Sequence, residues 1–321
     1  MQLFAAFMKL VRWRNLFFIV LTQTLFFTCV LRAVVEQYPK SAWIESKGGL
    51  FILLVIASVC IASAGYIIND YFDLQIDAVN RPDRIVVNRI VKRRWAIFWH
   101  LCLSVIGLVL SLYISYKTKT YIIALGNAGC ILLLWFYSTT FKKQVLTGNV
   151  IIAALTAWVI VVVYFFAGAK IIGDGNWKMA SYPFDIRKFF ILTMAYAGFA
   201  FVLSLIREVV KDLEDMEGDA QYQCRTMPIV WGVPAAKVFV AVWQIVLLAA
   251  LAFIALYAFK TGWRWQAVYV AALVWIPLLM LLKPLKQALT AAHFHRMSTQ
   301  IKWVMLAGIL SMCLFYSMDL S

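Results

Sequence analysis

Read along its length, the chain alternates long uninterrupted apolar runs with short polar segments. The runs are close to the 20 or so residues an α-helix needs to cross the hydrocarbon core of a bilayer. Candidate spans fall near 15–35, 48–68, 96–116, 120–137, 148–168, 188–210, 236–258, 264–282 and 301–320. Only Lys117, Thr118 and Lys119 separate the third run from the fourth, and merging the two would reverse the sidedness of every later loop. The pattern predicts an all-α, polytopic membrane protein with about nine transmembrane helices, residues 1–321 forming one domain.

Composition agrees with the pattern. Of 321 residues, 64% are hydrophobic and 14% charged, against roughly 45–50% and about 25% in soluble domains. No collagen period, low-complexity tract or Pro/Gly-rich linker is present, and the chain is too apolar for disorder. The first apolar run, Leu16 to Leu31, ends at Arg32 without a small-x-small cleavage site and so reads as a retained helix. Five of the six cysteines (Cys29, Cys60, Cys102, Cys130 and Cys313) lie inside apolar runs and none forms a C-x-x-C pair, which leaves disulfides and zinc without support.

The formal net charge of +15 reads as the basic excess of loops facing anionic lipid, and implies no nucleic-acid partner. With nine spans, the N-terminus and the loops after spans two, four, six and eight carry 19 of the 30 Lys and Arg, and the opposite side 10. The positive-inside tendency then puts the N-terminus in the cytoplasm and the C-terminus outside, in a cell (inner) membrane. The densest basic loop holds Arg81, Arg84, Arg89, Lys92, Arg93 and Arg94.

The acids change the picture most. Nine of the fifteen fall in two windows: Asp70, Asp73 and Asp77 in the first, and Glu208, Asp212, Glu214, Asp215, Glu217 and Asp219 in the second. Both windows follow even-numbered spans and so face the same side. Asp70, Asp73 and Asp77 stand at i, i+3, i+7, as do Asp212, Asp215 and Asp219, which stacks each triplet on one helical face. Carboxylates repel one another there and also meet the negative end of the helix dipole, so a cation should compensate. A single D-x-x-D is an ordinary solvated loop; two matched triplets on one membrane face point to function. Calcium suits them poorly, for want of the alternating D-x-D-x-D-G loop, whereas Mg²⁺ takes one or two carboxylates and completes its sphere with phosphate oxygens and water.

Two such clusters holding Mg²⁺ against a diphosphate would ease the breaking of its bond to carbon, because the metal stabilises charge on the departing group. An allylic carbon would leave as a delocalised cation, which survives where water is excluded and aromatic faces are near. The chain has 13 Trp, 14 Tyr and 23 Phe, most of them packing or lipid-facing residues.

Asn69-Asp70-Tyr71-Phe72-Asp73-Leu74-Gln75-Ile76-Asp77 resembles the N-D-x-x-D-x-x-x-D signature of the UbiA-type intramembrane prenyltransferases, and Asp212 to Asp219 resembles their second aspartate motif. The resemblance covers most of the chain. It implies a bundle of about nine transmembrane helices around a central cavity with both motifs cytoplasmic, and Mg²⁺ held by Asn69, Asp73, Asp215 and Asp219, with Asp70, Asp77 and Asp212 in support. Asp73, Asp215 and Asp219 would then be catalytic. Arg12-Trp13-Arg14-Asn15 is similar to the family's R-x-x-N, with Asn15 facing the cavity; Arg12 and Arg14 also read as plain topology anchors. Arg81 and Arg84, just after the first motif, are close enough to meet diphosphate. The family's Y-x-x-x-K is altered here: Tyr137 is followed by Lys142 and Lys143 at spacings of five and six. His100, His293 and His295 read as interfacial, and Arg89, Lys92, Arg93 and Arg94 as a lipid-facing or solvated patch.

Within the family, Arg12 through Asn69-Asp70, and Arg207-Glu208-Val209-Val210-Lys211-Asp212 through Thr226 to Gly232, are most similar to members that prenylate geranylgeranylglyceryl phosphate. The R-P-I-P-S-G stretch frequent after the first motif is missing, since Arg84 is followed by Ile85-Val86-Val87-Asn88-Arg89. The partners expected are a polyprenyl diphosphate, a lipid-soluble acceptor and membrane lipid, with no obligate protein partner. Prenylation of a hydroxybenzoate, a dihydroxynaphthoate or haem remains open. A lipid alcohol phosphotransferase would need a D-G-x-x-A-R element, absent here. A transporter would place ionisable groups at mid-membrane rather than at span ends.

Overall fold

The structure is a computed structural model and describes residues 2–35, 40–80, 86–87, 90–173, 184–316, 318 and 320. Among the described residues nine helices are long and apolar enough to cross a membrane. In chain order they are α1 (Trp13–Val34), α2 (Lys40–Phe72, apolar from Lys47), α3 (Arg93–Thr118), α4 (Ile122–Thr139), α5 (Thr147–Gly173), α6 (Ile186–Glu214), α7 (Gly232–Lys260), α8 (Arg264–Gln287) and α9 (Ala291–Phe315). Each expected span has its helix, and the protein is a multi-pass membrane protein. The boundary between the third and fourth spans is real: α3 ends at Thr118, and the left-handed backbone of Lys119 (φ 52°), which caps it, turns the chain before α4 begins.

Two spans widen into a π-helical turn, Phe26–Leu31 in α1 and Val270–Trp275 in α8. In α8 the cause is local. Pro277 has no N–H to give the preceding turn, and the wider winding just before it accommodates the missing bond.

The chain divides into two compact units. The first comprises Met1–Thr140, Trp158–Ala195 and Tyr316–Ser321. Polar side chains join its helices, as expected where lipid offers no hydrophobic drive for helix association. Gln23 donates to Ser58 Oγ and to the Val159 carbonyl, and Trp158 Nε1 donates to Asn127 Oδ1. A Cβ at Gly126 would overlap the Trp158 ring, so glycine is what admits the indole. His100, expected at an interface, is instead buried and bonded through Nδ1 to the Ala64 carbonyl at 3.0 Å. The reason is that α2 passes closely enough to satisfy its ring inside the span.

The short N-terminal helix Gln2–Leu10 packs Ala6, Leu10 and Val11 with Ile67 of α2 and with Val86, Val87 and Val91. That small core carries the start of α1 to the end of α2, where the first acidic window lies.

The second unit comprises Phe141–Ala157 and Tyr196–Phe315. Its core gathers Leu203, Ile206, Val209, Val210 and Leu213 of α6 with Val240 and Leu247 of α7, Leu278 of α8 and Met297 and Ile301 of α9. Gly308 lies where Phe199 presses on α9, and a Cβ there would meet the ring.

Candidate functional site

Both acidic windows are built alike. α2 ends at Phe72, Asp73 interrupts it, and the short helix Leu74–Asn80 follows; α6 ends at Glu214, Asp215 interrupts it, and Met216–Gln221 follows. The break does not lose the helical spacing. The Asp73 N–H donates to the Asn69 carbonyl at 2.9 Å and the Asp77 N–H to the Asp73 carbonyl at 2.8 Å. In the second window, the Asp215 N–H donates to Lys211 at 2.8 Å and the Asp219 N–H to Asp215 at 3.1 Å. The expectation that each triplet keeps to one face therefore holds, with the middle aspartate at the kink.

The first acid of each triplet is held by another element. Arg12 Nη2 donates to Asp70 Oδ1 at 2.6 Å, and its guanidinium lies 5.2 Å from the Tyr66 ring centroid. Arg12 caps α1 in a left-handed conformation (φ 52°) that turns the chain between the N-terminal helix and α1. Arg12, which the sequence reads either as an anchor or as part of the family's R-x-x-N, is thus paired with the first acid of the first window. Burial alone would favour the neutral guanidine, but Asp70, Tyr66 and Asp77 outweigh it and raise its pKa above the ordinary value.

In the second unit Asn149, in the first turn of α5, donates from Nδ2 to Asp212 Oδ2 at 2.7 Å. Asn149 was not expected, because a lone Asn beside Gly148 in an apolar run carries no signal of its partner. Asn15 is half-buried in the first turn of α1, one turn beyond Arg12.

Asn69 and Asp73 come together directly, Nδ2 donating to Oδ2 at 2.7 Å, and Asn69 Oδ1 is buried without a partner. Among the described residues no three His, Cys, Asp or Glu side chains converge on one point as metal ligands. The donor set nevertheless fits a hard divalent cation: oxygen ligands only, carboxylates stacked one helical turn apart, and an amide oxygen left unsatisfied. Arg93, expected in a lipid-facing or solvated patch, is exposed but places its guanidinium 4.5 Å from the ring of Tyr71, inside the first motif.

Lys142 and Lys143 lie on the 3₁₀ turn Phe141–Lys143, and the second motif reaches them through Cys224 and Arg225. The Cys224 N–H donates to the Asp219 carbonyl at 2.9 Å and the Arg225 N–H to the Lys143 carbonyl at 2.8 Å. Burial and then Asp219 push the Cys224 thiol pKa up, while Lys143 and Lys142 pull it down, so one thiol senses both the acids and the lysines. Glu214 Oε1 lies 2.8 Å from His295 Nδ1, and that imidazole is half exposed, at the start of α9. Tyr137 is half-buried in the last turn of α4. Arg81 and Arg84 lie outside the described residues.

Residues 24–306 match the UbiA prenyltransferase family. The digeranylgeranylglyceryl phosphate synthase of Thermococcus sibiricus is 34% identical over 191 residues, 60% of this chain and 59% of that protein. The synthase of the same name from Saccharolobus solfataricus is 30% identical over 287 residues, 88% of this chain and 90% of that protein. The chain thus spans about three fifths of the first relative and nine tenths of the second. Among solved structures, one described as digeranylgeranylglyceryl phosphate synthase in membranes superposes with a TM-score of 0.61 at 22% identity, covering 98% of this chain and 99% of that one. A UbiA homologue from Archaeoglobus fulgidus, bound to GPP and Mg²⁺, has a TM-score of 0.56 at 14% identity and covers 96% and 99%.

Proposed function

The chain belongs to the UbiA prenyltransferase family, and on that premise we propose that it transfers the isoprenyl chain of an allylic polyprenyl diphosphate to a lipid-soluble acceptor, geranylgeranylglyceryl phosphate, with release of diphosphate. The observation that carries the acceptor is the 30% identity, over 88% of this chain, to the S. solfataricus digeranylgeranylglyceryl phosphate synthase.

Asn69 and Asp73 in the first motif, and Asp215 and Asp219 in the second, are the residues that would hold Mg²⁺, with Asp70, Asp77 and Asp212 in support; a related protein was solved with Mg²⁺ and GPP. Bound there, Mg²⁺ supplies positive charge that stabilises the leaving diphosphate. Asp73 and Asp215, the aspartates at the two kinks, would act as catalytic metal-holding carboxylates, and Asp219 would complete the second set. Asp70 and Asp212 each have one oxygen engaged, by Arg12 and Asn149, so they brace the triplets and have less to offer a metal. Lys142 and Lys143 neutralise diphosphate oxygens, with Arg81 and Arg84 serving the first motif in the same way. Asn15 and Tyr137 present polar groups to the substrate at helix ends. The N-terminus and both motifs belong on the cytoplasmic face, a reading supported by the 19-to-10 distribution of Lys and Arg.

The test is an acceptor panel: detergent-purified protein with geranylgeranyl diphosphate and Mg²⁺, given in turn geranylgeranylglyceryl phosphate, a hydroxybenzoate, a dihydroxynaphthoate and haem. Prenylated product is expected with the glycerol phosphate ether and none after EDTA. Product from an aromatic acceptor or haem alone would overturn the acceptor assignment.

A further inference from the structure

One helical turn before the second aspartate motif, α6 carries an ionic group that the metal and diphosphate chemistry does not use. Glu208 accepts from Arg207 Nη1 at 2.9 Å, and from Lys211 Nζ at 2.9 Å to Oε1 and 3.2 Å to Oε2. The three side chains are only 13%, 13% and 22% exposed. Both cations thus pair with Glu208 inside a helix otherwise apolar enough to span a membrane. Arg207 Nε, moreover, is buried and has no hydrogen-bond partner. A buried N–H without a partner is rare, and rarer on a charged group in a span, where no bulk water can stand in.

An oxyanion supplies the acceptor that Nε lacks, in the forked geometry that guanidinium offers phosphate. We propose that Arg207, steadied by Glu208 and assisted by Lys211, binds the phosphomonoester of a lipid acceptor. The phosphate chemistry has two possible sources, the acceptor headgroup and the donor diphosphate. Position favours the acceptor. Arg207 lies five residues before Asp212, about 7.5 Å further along the helix and away from the carboxylates. The donor's diphosphate belongs beside those carboxylates and Lys142 and Lys143. The inference rests on the prenyl-transfer reading for what the lipid is, though not for whether it binds.

Binding of geranylgeranylglyceryl phosphate and of its neutral counterpart, geranylgeranylglycerol, to the full-length protein in detergent can be measured by calorimetry with neither donor nor Mg²⁺ present. The parent should bind the phosphate ether roughly 10–100-fold tighter than the neutral lipid, the range of a charge-assisted contact. Arg207→Gln should bring the two within about 2-fold. Arg207→Lys, which keeps the charge and the Glu208 pair while removing Nε, should recover part of the preference, and it serves where the Gln variant does not fold. In turnover, Arg207→Gln should raise the KM for the acceptor and leave the KM for geranylgeranyl diphosphate unchanged. Retention of full discrimination by both variants overturns the proposal, as does a raised donor KM with an unchanged acceptor KM, which would give Arg207 to the diphosphate. A parent protein that prefers the phosphate ether yet releases diphosphate from no allylic donor sinks the transferase reading and leaves this one standing.

Discussion

Arg12 adopts a left-handed backbone that costs an L-residue about 1–2 kcal/mol. Its ion pair with Asp70 is 35% exposed on the Arg side, and such screened pairs contribute about 0–1 kcal/mol. Stability therefore does not account for the conformation, whereas geometry does: the turn delivers a guanidinium to Asp70, the first acid of the proposed metal-binding motif. Loss of a group that orients metal ligands typically costs roughly 10–100-fold in metal affinity or activity. Arg12→Ala should lower turnover and raise the Mg²⁺ concentration for half-maximal rate by about that range, with Arg12→Lys intermediate and the thermal midpoint nearly unmoved. Asn149→Ala should do the same through Asp212; an Mg²⁺ titration of each variant reads both. The acids were legible in the sequence because nine of fifteen crowd into two short windows. Arg12 was ambiguous there, since a basic residue before a span is also an ordinary anchor. Asn149 was silent, because pairing across 63 residues leaves no local pattern. The partnerless Nε of Arg207 is a property of packing alone.

At the scale of elements, the spans were readable because a bilayer demands about 20 apolar residues from any helix that crosses it. Their ends were less so. The ninth was expected at 301–320 and begins at Ala291, since His293, His295 and Arg296 interrupt the apolar run while remaining helical. The close helix approaches come from contacts between elements and could not be read from any one of them. Those approaches are testable. Gly126→Leu places side-chain atoms where the Trp158 ring lies, and overpacking of this kind costs about 1–3 kcal/mol. A lowered unfolding midpoint in detergent is the expected result. Gly129→Ala, three residues on, meets nothing within 4 Å and should leave the midpoint unchanged or slightly raised.

For the whole molecule, charge asymmetry and motif placement make one statement about sidedness that a labelling experiment can check. In a background without native cysteines, Gln75→Cys lies in the short helix after the first kink and Tyr121→Cys between α3 and α4, and both positions are exposed. A membrane-impermeant thiol reagent should label Tyr121→Cys in intact cells and Gln75→Cys only once the cells are opened; the reverse order would invert the topology.

The claim that joins these scales is that two kinked carboxylate motifs, one in each unit, serve the departure of diphosphate from an allylic carbon. The direct measurement is diphosphate release from geranylgeranyl diphosphate, with Mg²⁺ and geranylgeranylglyceryl phosphate present, by the parent, Asp73→Ala and Asp215→Ala at matched concentrations of folded protein. Each substitution is predicted to slow release by at least about 100-fold, the scale of removing a principal electrostatic stabiliser of the leaving group. Release by either variant at the parent rate would contradict the account.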